Sequence, residues 1–274
     1  MGENSINQIV VFGDSLSDIG NNDRLKNVEG NITRAPVTNL DENRSENEAS
    51  TWITYFSRAL GNGNRAVLNY RQFLENPLTS ANIVMAWASA DTSANYVNDN
   101  AYPVLSDANC LAPGYKLANE NCVPGLLKQI DLYFSALPEN KKDNKTLFII
   151  FAGANDIFYS LQTKSFSQKT FSDIFKHTAQ AIHLLESHGI LPNHIVVFNL
   201  VDISKTPRLK NFPLKEQLHQ AIFNYNASLP GLLNNLSNKA QQEVKLYNIM
   251  EAMNQLLQNP SQYNLNQAVL TNCV

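Results

Sequence analysis

Three apolar runs, far apart in the chain, each end in side chains that could do chemistry. Gln8-Ile9-Val10-Val11-Phe12 leads into Gly13-Asp14-Ser15-Leu16-Ser17-Asp18, and Thr146–Phe151 leads through Ala152 into Gly153-Ala154-Asn155-Asp156. His194-Ile195-Val196-Val197-Phe198 leads into Asn199-Leu200-Val201-Asp202. A serine hydroxyl can act as a nucleophile when a base takes its proton, and an asparagine amide can donate to the oxyanion that forms. The constellation therefore suits acyl transfer, with Ser15 attacking and Asn155 donating. Asp14, Asp18 and Asp156 read as turn and hydrogen-bonding scaffold, since Asp is favoured where the backbone reverses.

The runs themselves say how such residues could meet. Short all-apolar segments bounded by turn residues read as strands buried on both faces. Between them lie helical patterns. Trp52–Leu60 ends at Gly61, and Pro124 opens a helix with Leu127, Ile130, Phe134 and Leu137 on one face. Phe171, Ile174, Phe175, Thr178, Ile182 and Leu185 keep helical spacing up to Gly189, Leu214–Ser228 is amphipathic, and Glu243–Ile249 reads as a further strand. Buried strands alternating with helices predict an α/β fold, a three-layer sandwich with a mostly parallel sheet flanked by helices. In such sheets ligands bind beyond the carboxyl ends of the strands, where Ser15 and Asn155 fall. The segments Asn21–Ser50 and Asp91–Cys122 read as long insertions able to form the rim of a site. With neither an internal repeat nor a linker, residues 1–274 are expected to form one domain.

Composition narrows the function class. The 274 residues carry 21 Lys+Arg against 24 Asp+Glu, a formal charge of −3, so a strongly basic nucleic-acid surface is excluded. With 43% apolar and 16% charged residues the chain can bury a core. The longest apolar stretches fall far short of the ~20 residues a membrane-spanning helix needs. Asn occurs 37 times and Gly only 11 times, so Asn is expected to share the turn positions. Met1-Gly2-Glu3-Asn4 is polar and shows no signal peptide, which suits an intracellular protein or a mature form.

Cys110 and Cys122 bracket a loop-like stretch with a Pro-Gly turn, a spacing that suits a disulfide in an oxidising compartment; two free thiols are the alternative. The third cysteine, Cys273, has no partner left in the sequence. No Cys/His set has zinc-ligand spacing.

Phe12-Gly13-Asp14-Ser15-Leu16-Ser17-Asp18-Ile19-Gly20-Asn21 resembles the first block of the GDSL lipases, the SGNH hydrolases. Gly153-Ala154-Asn155-Asp156 is similar to their Gly-x-Asn-Asp block, and Asn199–Pro207 with Phe223-Asn224 resembles the secreted branch. The resemblance runs in order from Gln8 nearly to the end, and its fold is flavodoxin-like. It implies Ser15 as nucleophile and first oxyanion donor through its own N–H, and the Asn155 side chain as another donor. The block that supplies the third donor reads Ala86-Trp87-Ala88-Ser89-Ala90 here, so the backbone N–H of Ser89 stands where the family has Gly. No metal or organic cofactor is implied.

The catalytic Asp and His of the family lie in an Asp-x-x-His block, and the sequence contains none. His177, His183, His188, His194 and His219 read as structural or exposed, with His188 placed to complement a helix dipole. The resemblance therefore implies an Asp/His-bearing C-terminal peptide, released, removed or joined through Cys273; a non-catalytic relative is the third possibility. The expected protein is a secreted or periplasmic serine ester hydrolase of the phospholipase A/lysophospholipase and glycerophospholipid:cholesterol acyltransferase branch. Its substrate would be a lipid ester, with an alcohol such as a sterol as possible acyl acceptor. An esterase for acetylated sugars or a lipid- or glycan-binding pseudoenzyme are the alternatives. A flavodoxin-like binding module has no support, because no Gly-rich phosphate loop follows a strand.

Overall fold

The structure, a computed structural model, describes residues 6–21, 51–59, 66–87, 89–98, 104–105, 110–112, 116–117, 122–138, 145–236 and 243–265. In chain order the strands are β1 (Gln8–Gly13), β2 (Val67–Asn69), β3 (Asn82–Val84), β4 (Tyr96–Asn98), β5 (Val104–Leu105), β6 (Leu111–Ala112), β7 (Lys116–Leu117), β8 (Cys122–Pro124), β9 (Thr146–Phe151), β10 (Ile195–Phe198) and β11 (Lys245–Tyr247). The helices are α1 (Trp52–Ala59), α2 (Tyr70–Glu75), α3 (Leu126–Ala136), α4 (Ala154–Gln162), α5 (Gln168–Ser187), α6 (Lys215–Leu236) and α7 (Ile249–Gln258). No described helix is long and apolar enough to cross a membrane.

Six strands form one parallel sheet in the order β11-β10-β9-β1-β3-β2. From β1 the chain runs out to β2 at one edge and returns to β3 beside β1, then crosses to build β9, β10 and β11 on the other side. The reversal lies between β1 and β9, the pair whose register runs from Gln8↔Thr146 to Gly13↔Phe151. A crevice opens at such a switch point, because the connections leave their strands in opposite directions.

The pleat sends alternate side chains to opposite faces. Val10 and Phe12 of β1, with Phe148 and Ile150 of β9, join the core under α3, α5 and α6, which includes Tyr133, Ile182 and Ile222. Ile9 and Val11 face the other way, packing with Ile53 of α1, Val84 and Ile149. The sandwich has helices on both faces, as the apolar runs predict.

Local boundaries differ from the sequence reading for identifiable reasons. Pro124 closes β8 rather than opening a helix; Gly125 is the N-cap and α3 begins at Leu126. His194 sits in a 3₁₀ turn just before β10. The strand expected over Glu243–Ile249 shrinks to β11, because the Asn248 side chain accepts from Glu251 N–H at 3.1 Å and caps α7. The helix expected to end at Ser228 continues through Pro230 to Leu236. Part of the insertion Asp91–Cys122 is ordered as antiparallel pairs, β4 with β5 and β8, and β6 with β7. Cys110 and Cys122, both buried, have their sulfurs 2.00 Å apart. Residues 22–50 and Cys273 lie outside the described residues.

Candidate active site

Ser15 lies two residues beyond Gly13, the last residue of β1, in a turn built from its neighbours. The Asp14 carbonyl accepts from Ser17 N–H at 3.0 Å and Asp18 N–H at 3.1 Å, and the Asp14 carboxylate accepts from Leu16 N–H at 3.1 Å. Asp18 extends the scaffold by accepting from Gly20 N–H at 2.8 Å and Asn21 N–H at 2.7 Å. Asn21 then donates to the carbonyls of Val84 and Ala86 at 2.9 and 2.8 Å, tying the turn to the end of β3. Trp52 of α1 donates to the Ser17 hydroxyl at 3.1 Å. Asp14 is buried, and desolvation pushes its carboxyl up to about 7.

Gly13 permits this approach of β1 to β9. A Cβ there would stand 2.1 Å from the Phe151 carbonyl oxygen, so any other residue would push the strand ends apart. Gly153 has φ +120°, and its own Cβ would meet Leu200 at 2.8 Å. These glycines bring the Ser15 turn and the start of α4 together across the switch point.

Asn155 stands in the first turn of α4, and its amide donates to the Ala90 carbonyl at 2.9 Å. Tyr159, one turn further, donates to the Ser89 carbonyl. Asp156 accepts from Thr92 N–H at 3.1 Å and from the Thr92 hydroxyl at 2.6 Å. The segment Ser89–Thr92 is thus held along α4 by Asn155, Asp156 and Tyr159. Asp156 keeps some exposed surface, yet its carboxyl sits deep in the packing, and desolvation with the nearby Asp91 charge pushes it up to about 7. Desolvation raises Asp91 as well.

A cavity of about 680 Å³ opens where these elements meet. Ser15 and Asn155 both line it; Ser89 is not among its described lining residues. The rest is mainly apolar. Phe198 makes the centre of an aromatic floor, with ring centroids 5.3 Å from Trp52, 4.9 Å from Phe151 and 4.6 Å from Tyr247. Met250, Met253 and Leu257 of α7 close one wall. A volume of several hundred Å³ with mostly apolar walls and few polar groups is the usual character of a small-molecule site.

Packing and hydrogen bonds account for three of the histidines. His188 stacks on Phe134 with centroids 3.8 Å apart, and burial lowers its pKa, which works against the cation a helix dipole would favour. His219 Nδ1 lies 2.7 Å from the Asp202 carboxylate, a buried group that borders the cavity. His177 Nδ1 lies 2.8 Å from the Thr92 hydroxyl. Neither pairing has a sequence signal, because each joins an ordinary helix position to a loop. None of the histidines is among the described residues lining the cavity, and among the described residues no group of three His, Cys, Asp or Glu could hold a metal.

A family model described as GDSL-like Lipase/Acylhydrolase matches residues 9–268. No curated protein matches the chain.

Proposed function

The chain belongs to the GDSL-like lipase/acylhydrolase family, and from that membership we propose that it is a serine ester hydrolase acting on lipid esters through Ser15. The observation that supports this most is the meeting of Ser15 and Asn155, from the two strand ends at the switch point, on one apolar cavity. Ser15 attacks the ester carbonyl. The developing oxyanion takes the Asn155 side-chain amide and the N–H groups of Ser15 and Ser89 as donors. Release of the alcohol leaves an acyl-enzyme, which water resolves; an alcohol such as a sterol resolves it in an acyltransferase.

The apolar floor and the methionine wall favour an acyl chain over an acetylated sugar, which would need polar side chains to replace its hydration. A phospholipid or lysophospholipid is the substrate class of this reading. The general base is a histidine of the family's Asp-x-x-His block, a role that rests on the resemblance alone. The pairing of Cys110 with Cys122 agrees with a secreted or periplasmic setting.

A fluorophosphonate ester probe tests the proposal. Covalent labelling that is lost in Ser15→Ala supports it, as does release of fatty acid from lysophosphatidylcholine by the wild type. If Ser15 stays unlabelled after an Asp-x-x-His peptide is supplied, the chain is a binding relative.

A further inference from the structure

Behind the cavity, three polar side chains from three elements form a continuous hydrogen-bonded row. The Thr92 hydroxyl is 2.6 Å from Asp156 Oδ1 on one side and 2.8 Å from His177 Nδ1 on the other. Asp156 belongs to α4, beside Asn155; Thr92 belongs to the segment whose Ala90 carbonyl receives the Asn155 amide; His177 belongs to α5 and is half-buried. We infer that Asp156, Thr92 and His177 are a proton-conducting relay that positions the Ser89–Thr92 segment against Asn155, with His177 as its end toward solvent. The inference rests on the proposed esterase reading in so far as that segment carries an oxyanion donor.

The row has two polarities. With Asp156 ionised, Thr92 donates its hydroxyl proton to Asp156, and His177 donates Nδ1–H to the Thr92 oxygen. When a proton arrives from solvent at His177 Nε2, the Nδ1 proton passes to Thr92 and the Thr92 proton passes to Asp156. The products are a neutral Asp156 and a neutral His177 carrying its proton on Nε2. One proton enters and one is stored, so the charge of Asp156 follows the medium without the site opening. In the first polarity Asp156 holds the segment through both the Thr92 N–H and the hydroxyl, and each bond is charge-assisted. In the second, both weaken.

Other charges bear on the two ends. Asp91 and Asp173 favour the His177 cation, while burial, Lys176 and Lys169 oppose it, and the net direction is downward. Lys169 is itself paired with Asp173 at 2.6 Å. Asp91 also faces Asp156, and the Tyr225 hydroxyl of α6, pushed up to about 12, stays neutral beside it. The charge that changes inside the row is therefore carried by Asp156 and His177, with Asp91 as background.

The test uses the full chain as wild type, T92V, T92S and D156N. The His177 ring is titrated by ¹H–¹⁵N NMR, and Ser15 labelling by a fluorophosphonate is timed. A relay predicts that the His177 midpoint falls by about half a unit or more in both T92V and D156N and returns in T92S. It also predicts that labelling slows about tenfold in T92V, with T92S within about twofold of wild type. An unmoved His177 midpoint in T92V and D156N overturns the relay. So does wild-type labelling speed in folded T92V. If T92V fails to fold, the D156N titration decides alone. If the wild type does not label even with an Asp-x-x-His peptide supplied, the esterase reading falls, while the titration still decides the relay.

Discussion

Gln129 holds the main chain of Gly13 by both of its polar groups: its side-chain oxygen accepts from Gly13 N–H at 2.9 Å, and its amide donates to the Gly13 carbonyl at 2.9 Å. The same amide donates to the Pro124 carbonyl at 3.0 Å. A buried glutamine on an otherwise apolar helix face thus fixes the end of β1, the residue two before Ser15. Gln129→Met keeps the length of the side chain and removes these bonds. We expect a loss of about 1–3 kcal/mol in urea unfolding, because the buried Gly13 N–H loses this acceptor, while the Gly13 carbonyl keeps Trp87 N–H at 3.2 Å. Ser15 labelling should slow while secondary structure stays native; an unchanged unfolding midpoint would refute the account.

Asp14 gives the protein a pH-dependent stability of unusual sign for a carboxylate. Its folded-state value of about 7 lies above its ordinary value of 3.8, so the native state binds more protons across that window. Stability from this group is full below about pH 4 and declines as pH rises through about 7. Asp14→Asn keeps the acceptor for Leu16 N–H and removes the charge. The expected outcome is a raised urea midpoint at pH 8, little change at pH 4, and a flatter profile between them. A variant no more stable than wild type at pH 8 would show that the carboxyl is not desolvated.

Gly153→Ala tests the joint that presents Asn155. Alanine resists φ near +120°, and its Cβ would meet Leu200 at 2.8 Å and Ile174 at 3.1 Å. The strain should cost about 2–3 kcal/mol. Labelling of Ser15 should fall more steeply than stability does, because the start of α4 must move away from the Ser15 turn. Thermal unfolding and labelling rate measured on the same sample separate the two effects.

His219→Ala separates support from catalysis. The Asp202 carboxylate would keep the Ser204 hydroxyl at 2.5 Å and Lys205 at 3.7 Å but lose the imidazole at 2.7 Å. A stability loss of about 1–2 kcal/mol is expected, as for one hydrogen bond to a charged group. Ser15 labelling should stay within about twofold, since a base removed from the cavity cannot act on it. A collapse of labelling in a folded protein would make His219 the base and replace the assignment given above.

How far the sequence reveals the site depends on the kind of residue. β1, β9 and β10 are apolar runs of four or more residues, and the polar residues that follow them announce Ser15, Asn155 and Asp202 directly. β2 and β3 have three residues each, too few for periodicity, so the strands beyond β1 on that side could not be read. Gln129, Thr92 and His177 are invisible for another reason. Each is a polar residue at an unremarkable position whose partner lies between 64 and 116 residues away, and only the fold brings them together. The wall from α7 was also hidden, because Met250, Met253 and Leu257 face the cavity only once Asn248 turns the chain from strand to helix.

Met253 offers the most direct test of the substrate class. It stands on α7 and lines the same cavity as Phe198, and a larger side chain there reduces the space available to an acyl chain. Met253→Trp should lower kcat/KM for long-chain p-nitrophenyl esters by about tenfold or more and leave the acetyl and butyryl esters within about twofold. The labelling rate of Ser15 with a small fluorophosphonate should not change, because the reacting groups are untouched. An equal loss for short and long esters would mean that the variant disturbs the Ser15 turn and not the acyl space. A loss for neither would place the acyl chain elsewhere and remove the apolar cavity as the argument for a lipid ester.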